Sequence, residues 1–160
     1  MTTLAQTAAG TKIYIGGSNP TGDPSDLAAE VSWTEIGEVT NIPEFGAEFE
    51  KIIHKPLGNR STFKFKGGKD SGDITLDMAR APTDAGQAAC LAALEDDGGY
   101  NFKIEFNDQP AGASANPTTI KFAGKVGAFK TVVGQTNSII GAKLAIWIDG
   151  DLEEEPAATS

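Results

Sequence analysis

Apolar residues recur at every second position through most of the chain, the period of a half-buried strand and not of a helix. Residues 11–15 (TKIYI) predict a first short strand, ended by Gly16-Gly17, and residues 18–25 (SNPTGDPS) predict a loop. Over 31–39 (VSWTEIGEV), Val31 and Trp33 keep step, whereas Ile36 and Val39 fall out of phase around Gly37. That predicts one strand with a bulge at the glycine. In 44–54 (EFGAEFEKIIH), Phe45 and Phe49 share parity, and Pro56 and Gly58 then break the pattern. Residues 51–60 therefore read as an extended arm or hairpin tip.

The segments 62–66 (TFKFK) and 73–78 (DITLDM) both alternate strictly around GGKDSG, which predicts a hairpin. Phe63 and Phe65 would share its buried face with Ile74, Leu76 and Met78. Lys64 and Lys66 would share the other with Asp73, Thr75 and Asp77, where cross-strand charge pairs contribute roughly 0.2–1 kcal/mol each. Pro82-Thr83-Asp84 opens the one convincing helix, 85–94, with Asp84 as cap, Gln87 at capping-box spacing, an apolar stripe of Ala88, Leu91 and Leu94, and Gly98 as the stop. Glu95, Asp96 and Asp97 stand at the negative end of its dipole, an arrangement that calls for a basic partner.

Three more strands follow: 100–106 with Phe102, Ile104 and Phe106 on one face; 118–130 with a parity change after Gly127; and 137–148 with Leu144, Ile146 and Ile148 inward, Lys143 and Trp147 outward. Residues 1–148 read as one domain and 149–160 as an acidic, flexible tail. The fold class is mostly β: a β-sandwich or partly closed barrel with one flanking α-helix.

The length of 160 residues suits that single domain. No apolar run reaches the ~18 residues of a spanning helix, and the first twelve residues lack the basic start and apolar block of a secretory signal. One cysteine (Cys90) and one histidine (His54) exclude an intramolecular disulfide and leave almost nothing for thiolate or imidazole metal sites. Cys90, on the Ala-rich helix, reads as a small core residue, and His54, beside Lys55 and Pro56, as a surface or interface residue. Gly67-Gly68-Lys69-Asp70-Ser71 lacks the spacing of a phosphate loop, and Asp70, Ser71 and Asp73 lack that of a calcium loop. Asp73 and Asp77 could pair as carboxylates, but neighbouring lysines would keep both ionised. No nucleophile, base and oxyanion site assemble, which argues against an enzyme; no cofactor is called for.

Net charge is −9, which disfavours gripping a phosphate backbone. Its distribution says more. Residues 1–50 hold one base against eight acids, 51–80 seven bases against three acids, 81–148 five against six, and the end from Asp149 five acids alone. An acidic and a basic stretch can neutralise one another within one fold, or can steer one copy onto another.

In the order and spacing of Trp33-Thr34-Glu35-Ile36-Gly37-Glu38-Val39, Pro56-Leu57-Gly58, Gly72-Asp73-Ile74-Thr75-Leu76 and Thr83-Asp84-Ala85-Gly86-Gln87-Ala88-Ala89, the chain resembles the major tail tube proteins of long-tailed (siphovirus-type) bacteriophages. The resemblance runs from Trp33 to about Ile148. It implies a β-sandwich flanked by a helix, a fold shared with the type VI secretion tube protein. It also implies hexameric rings stacked into a tube that conducts DNA at infection without specific binding. Tape-measure, tail-terminator and baseplate or distal tail proteins are the implied partners, and the virion tail, assembled in the bacterial host cytoplasm, the implied location. Mapped by order, the inter-subunit arm is Lys51, Ile52, Ile53, His54, Lys55, Pro56, Leu57 and Arg60. Lys64, Lys66, Asp73, Thr75 and Asp77 are the candidate channel-wall face. A type VI-like tube, another phage tail or decoration protein, and a carbohydrate-binding β-sandwich built on Trp147 with Trp33 or Tyr100 remain the alternatives.

Overall fold

In a computed structural model, residues 5–112 and 114–158 are described. The strands are β1 (Lys12–Ser18), β2 (Thr34–Glu35), β3 (Val39–Asn41), β4 (Glu48–His54), β5 (Phe63–Asp70), β6 (Asp73–Ala79), β7 (Tyr100–Glu105), β8 (Thr119–Val132) and β9 (Gly141–Glu155). Two helices are present, α1 (Pro24–Ala29) and α2 (Ala85–Glu95). Seven strands form one antiparallel sheet in the order β2-β1-β7-β8-β9-β6-β3, and β4 and β5 form a separate two-stranded ribbon.

The sheet curls, and the chain itself reports by how much. β2 and β3 lie at opposite edges, yet Glu35 and Val39 are only four residues apart, at most ~14 Å of extended backbone. Ile36 N–H donates to Ile13 O on one edge at 2.9 Å, and Glu38 O accepts from Ala79 N–H on the other at 2.9 Å. Glu38 turns the chain between them at φ 61°, in the left-handed region that non-glycine residues rarely enter. The expected single bulged strand over 31–39 is thus two short strands that bridge the mouth of a half-barrel. Of the two expected architectures, the partly closed barrel is the one found, not two stacked sheets.

Alternation predicted the inner face well. Ile13, Ile15, Ile74, Leu76, Phe102, Ile104, Phe122, Leu144 and Ile146 are all essentially inaccessible and form one core. Each such side chain contributes about 1.5–3 kcal/mol relative to exposure. Phe102 and Phe122 face each other in register on β7 and β8 and stack with ring centroids 5.5 Å apart.

The expected hairpin of 62–66 with 73–78 does not form. β5 pairs with β4, and β6 pairs with β9 in an unbroken register from Asp73↔Trp147 to Ala79↔Gly141. Ser71 and Gly72 redirect the chain between the two: Gly72 has φ 77°, its carbonyl accepts from Ile148 N–H at 3.1 Å, and the Ser71 hydroxyl donates to Gly150 O. Alternation assigns a face to each strand but not a neighbour, so Ile74, Leu76 and Met78 are buried while Phe63 and Phe65 are not.

Asp84 caps α2 as expected, accepting from Gln87 N–H at 2.9 Å. The buried stripe differs: Gly86, Gln87, Cys90 and Ala93 face the sheet, Leu91 and Leu94 are half-buried and Ala88 is exposed. Small residues win here because the helix lies almost on the backbone. A β-carbon at Gly86 would stand 2.1 Å from Glu35 O. The buried Gln87 amide then ties three segments together: Nε2 donates to Gly37 O and Ala79 O, while Oε1 accepts from Ala81 N–H and Arg80 Nη1.

The second helix, α1, falls at the end of the segment read as loop. Asp23 caps it by accepting from Ser25 N–H, and Pro24 occupies the first turn. Asp-Pro at cap and first helical position was the available signal. The strand boundaries at the end of the chain also move. β9 runs seven residues past the expected domain end at 148, pairing Glu153 with Lys121 and Glu155 with Thr119.

Candidate assembly surfaces

The residues assigned to the arm fall on the β4–β5 ribbon and the turn that joins its strands. Every residue of β4 is exposed, and in β5 only Gly67 is partly covered. The register Ile52↔Phe65 and His54↔Phe63 places an apolar set on one face, with Phe65 57% exposed. Lys51↔Lys66 and Ile53↔Lys64 place a basic set on the other. Phe49 lies under two cations of β5, with Lys66 Nζ 4.8 Å and Lys69 Nζ 6.0 Å from its ring centroid. Lys69 also pairs with Asp151 at 2.9 Å, fastening the base of the ribbon to β9. At the tip, Asn59 N–H donates to Pro56 O and Leu57 is fully exposed. Lys51, Ile52, Ile53, His54, Lys55, Pro56, Leu57 and Arg60 are therefore brought together on one protrusion.

The five residues expected to share one face are divided. Lys64 and Lys66 belong to the ribbon, while Asp73, Thr75 and Asp77 lie on β6 beside Trp147, Ala145 and Lys143. Lys143, not a β5 lysine, neutralises Asp77 at 3.1 Å; its hydrogen bond and charge hold the Asp77 carboxyl below the usual range.

Of the three acids at the end of α2, Asp96 is met locally. Asp96 accepts from Gly98 N–H and the Tyr100 hydroxyl, which lower its pKa, so no base is recruited to it. Glu30 is internal to the fold as well, taking hydrogen bonds from Gly17 N–H, Ser32 N–H and Asn101 Nδ2. Glu38, Glu44, Glu48 and Glu50 stay exposed.

A second exposed apolar tip was not anticipated. Residues 131–140, the end of β8 and its connection to β9, are all exposed and include Val132, Val133, Ile139 and Ile140. Two apolar pairs flanking the polar turn Gly134-Gln135-Thr136-Asn137-Ser138 were the readable sign, although Ile139 and Ile140 also fit the start of the strand expected over 137–148. A groove of about 370 Å³ opens between residues 6–11 and 39–45, floored by Val39, Ile42, Phe45, Ile104 and Phe106.

Of the aromatics a glycan platform would need, Trp33 is covered by Lys103, whose ammonium lies 5.0 Å from its ring. Tyr100 is bonded to Asp96, which leaves Trp147 by itself. Among the described residues, no three His, Cys, Asp or Glu side chains gather into a metal site, and no helix is long and apolar enough to cross a membrane.

No protein-family model matches the chain, and no curated protein matches it in sequence. Its fold does recur among solved structures. The SPP1 tail tube superposes with a TM-score of 0.68 at 9% identity, covering 91% of this chain and 76% of that one. The chain has the tail-tube fold. A chain of the six-fold symmetrised anti-feeding prophage baseplate gives 0.69 at 13% identity, covering 98% of both. The tail of the empty gene transfer agent particle, refined with C6 symmetry, gives 0.64 at 15%, covering 94% and 99%. A sheath/tube terminator chain of an extracellular contractile injection system gives 0.67 at 12%, covering 97% of this chain and 99% of that one.

Proposed function

We propose that the protein is the structural subunit of a phage tail tube. Copies close into hexameric rings, and the rings stack into the conduit through which DNA leaves the particle. The observation that carries this reading is the β4–β5 ribbon. A two-stranded ribbon is marginal in water by itself, and this one exposes Phe49, Ile52, Ile53, Leu57, Phe63 and Phe65 with no core of its own. Such a surface makes sense when covered by another subunit. The six-fold and C6 symmetry of the anti-feeding prophage baseplate and the gene transfer agent tail supports the ring number. The role is architectural and non-catalytic. Its partners are a tape-measure protein, a tail terminator and baseplate proteins, and its location is the virion tail after assembly in the bacterial cytoplasm.

Asp73, Thr75 and Asp77 on β6 form the proposed channel-wall face, with Lys64 and Lys66 assigned to the arm. Acids on a channel wall repel phosphate and let the polymer slide. A tube within a contractile injection system is the second reading, favoured by the likeness to the sheath/tube terminator chain of an extracellular contractile injection system over 97% of this chain and 99% of that one.

Negative-stain electron microscopy of concentrated protein tests the proposal: rings or tubes about one subunit thick are expected, and a strict monomer would refute it. Tubes that also bind a co-expressed sheath protein would favour the second reading. Reversing Asp73 and Asp77 to Lys should slow DNA delivery without preventing tube assembly; unchanged delivery removes the channel-wall assignment.

A further inference from the structure

We infer that the 131–140 tip is a lipid contact, seating its aliphatic side chains at the headgroup–acyl boundary of an anionic membrane surface. This goes beyond the tube reading and stands on the β8–β9 hairpin itself. Residues 131–142 carry no charge, and Val132, Val133, Ile139 and Ile140 flank a polar apex, with every residue from 131 to 140 exposed. Ser138 N–H donates to Gln135 O at 2.9 Å and Gly134 has φ 75°, so the apex is a closed turn. The tip holds no Trp, Tyr or Arg, the side chains that anchor protein interfaces. Aliphatics beside small polar groups suit the membrane boundary, where both find partners, as a surface contact and not a span.

The neck of the tip supplies the charge. Lys130 and Lys143 stand directly opposite one another in the β8–β9 register, a like-charged rung that works against the pairing. Arg80 joins them, its backbone N–H donating to Ile140 O at 2.8 Å and its guanidinium lying 5.1 Å from the Phe129 ring centroid. Asp77 answers Lys143 at 3.1 Å, whereas Lys130 and Arg80 meet no carboxylate within ion-pair distance among the described residues. Of the acids behind the neck, Asp84 is engaged at the α2 cap and Glu38 lies on the crossover beside Ala79. The acids of β9 begin at Asp149, six residues from Lys143 and about 20 Å along the strand.

An uncharged apolar tip above a basic neck matches a surface that is anionic at its face and apolar beneath. A nucleic acid would meet the cations and leave the aliphatics wet. On the tube reading, a terminal ring with this end outward would present one such tip per subunit to the membrane it reaches.

Vesicle flotation of the purified chain tests the inference. Binding is expected to mixed phosphatidylglycerol–phosphatidylcholine vesicles at low salt, and about fivefold less or weaker still to pure phosphatidylcholine or at high salt. Val133→Asp combined with Ile139→Asp, and separately Lys130→Glu, should each weaken binding by about fivefold or more. These side chains are exposed, and Lys130→Glu also relieves the like-charged rung, so urea midpoints should not fall. An environment-sensitive dye on Gln135→Cys should shift to the blue on the anionic vesicles, buried Cys90 taking no label. No binding by the parent, equal binding to both kinds of vesicle, or undiminished binding by the double variant would overturn the inference. A parent that ignores vesicles but self-associates, with the association lost in the double variant, would assign the tip to a second copy and overturn it too. A parent that binds anionic vesicles yet never forms rings or tubes would overturn the tube reading and leave the lipid contact standing.

Discussion

Gly37 N–H donates to Asp84 Oδ2 at 3.0 Å, across 47 residues of sequence, and the same oxygen caps α2 through Gln87 N–H at 2.9 Å. One carboxylate therefore fastens the helix to the strand crossover that spans the mouth of the half-barrel. Local and long-range order meet at this atom, because the crossover has no strand partner of its own at Gly37.

Asp84→Ala removes both bonds. Loss of the cap costs about 1 kcal/mol, and the half-buried Gly37 N–H left without its acceptor adds about 1–2 kcal/mol. A fall of about 2–3 kcal/mol in urea-derived stability is expected, against under ~1 kcal/mol for Asp84→Asn, which keeps an acceptor oxygen. Equal stability of Asp84→Ala and the parent would show that the crossover is held by other contacts.

The strand faces and α2 were readable because period-two and period-3.6 patterns are local properties of a chain. Leu144, Ile146, Ile148 and Trp147 all point as their parity says. The neighbours of each strand were not readable. Phe63 and Ile74 show the same alternation, yet one lies on an exposed ribbon and the other in the core, a difference set by the Ser71-Gly72 turn and by competition for β9. The α2 stripe was misassigned for a similar reason. Gly86 and Ala93 are buried because a helix approaching a backbone closely needs small side chains, a demand made by the sheet and not by the helix. The turn after His54 was legible because Pro56 and Gly58 interrupt the alternation, while the 131–140 tip hid behind β-branched residues that also suit strands.

Trp147 lies across Gly127, the extra residue where the β8–β9 register slips between Val126↔Ile146 and Ala128↔Ala145. A β-carbon at Gly127 would stand 2.2 Å from indole Cε2, so Gly127→Ala must displace the ring. The expected cost is about 1–3 kcal/mol, typical of overpacking. In a Trp147→Ala background the same glycine change should cost well under half as much, and a double-mutant cycle by chemical denaturation measures the difference. Additive effects would mean that the indole already moves freely off the glycine.

Glu30 gives the acid limb of stability a specific origin. Burial raises its pKa, but hydrogen bonds from Ser32 N–H, Gly17 N–H and Asn101 Nδ2 outweigh it and hold the carboxyl below its ordinary 4.5. A depressed carboxyl stabilises the fold above its unfolded pKa, and that contribution is lost as pH falls through the folded value. The parent should therefore lose stability on acidification from about pH 5 downward, and Glu30→Gln should show a shallower decline over the same range. Urea midpoints between pH 6 and 3 supply the comparison; parallel profiles would assign the acid sensitivity to other groups.

Cys90 sits on the buried face of α2 with no accessible surface, and desolvation, with the nearby Asp84 charge, pushes its thiol up to about 12. The thiolate is the reactive form, so at neutral pH the folded protein should be almost inert to a thiol reagent. Labelling should then proceed only through opening of the helix from the sheet, at a rate that tracks stability. Asp84→Ala loosens that contact and should accelerate labelling by at least tenfold under native conditions, while Gly127→Ala, which strains the distant β8–β9 face, should accelerate it only as far as global stability falls. Rapid labelling of the native parent would show that α2 detaches independently of the barrel, and that the Gly37–Asp84 bond does not hold it.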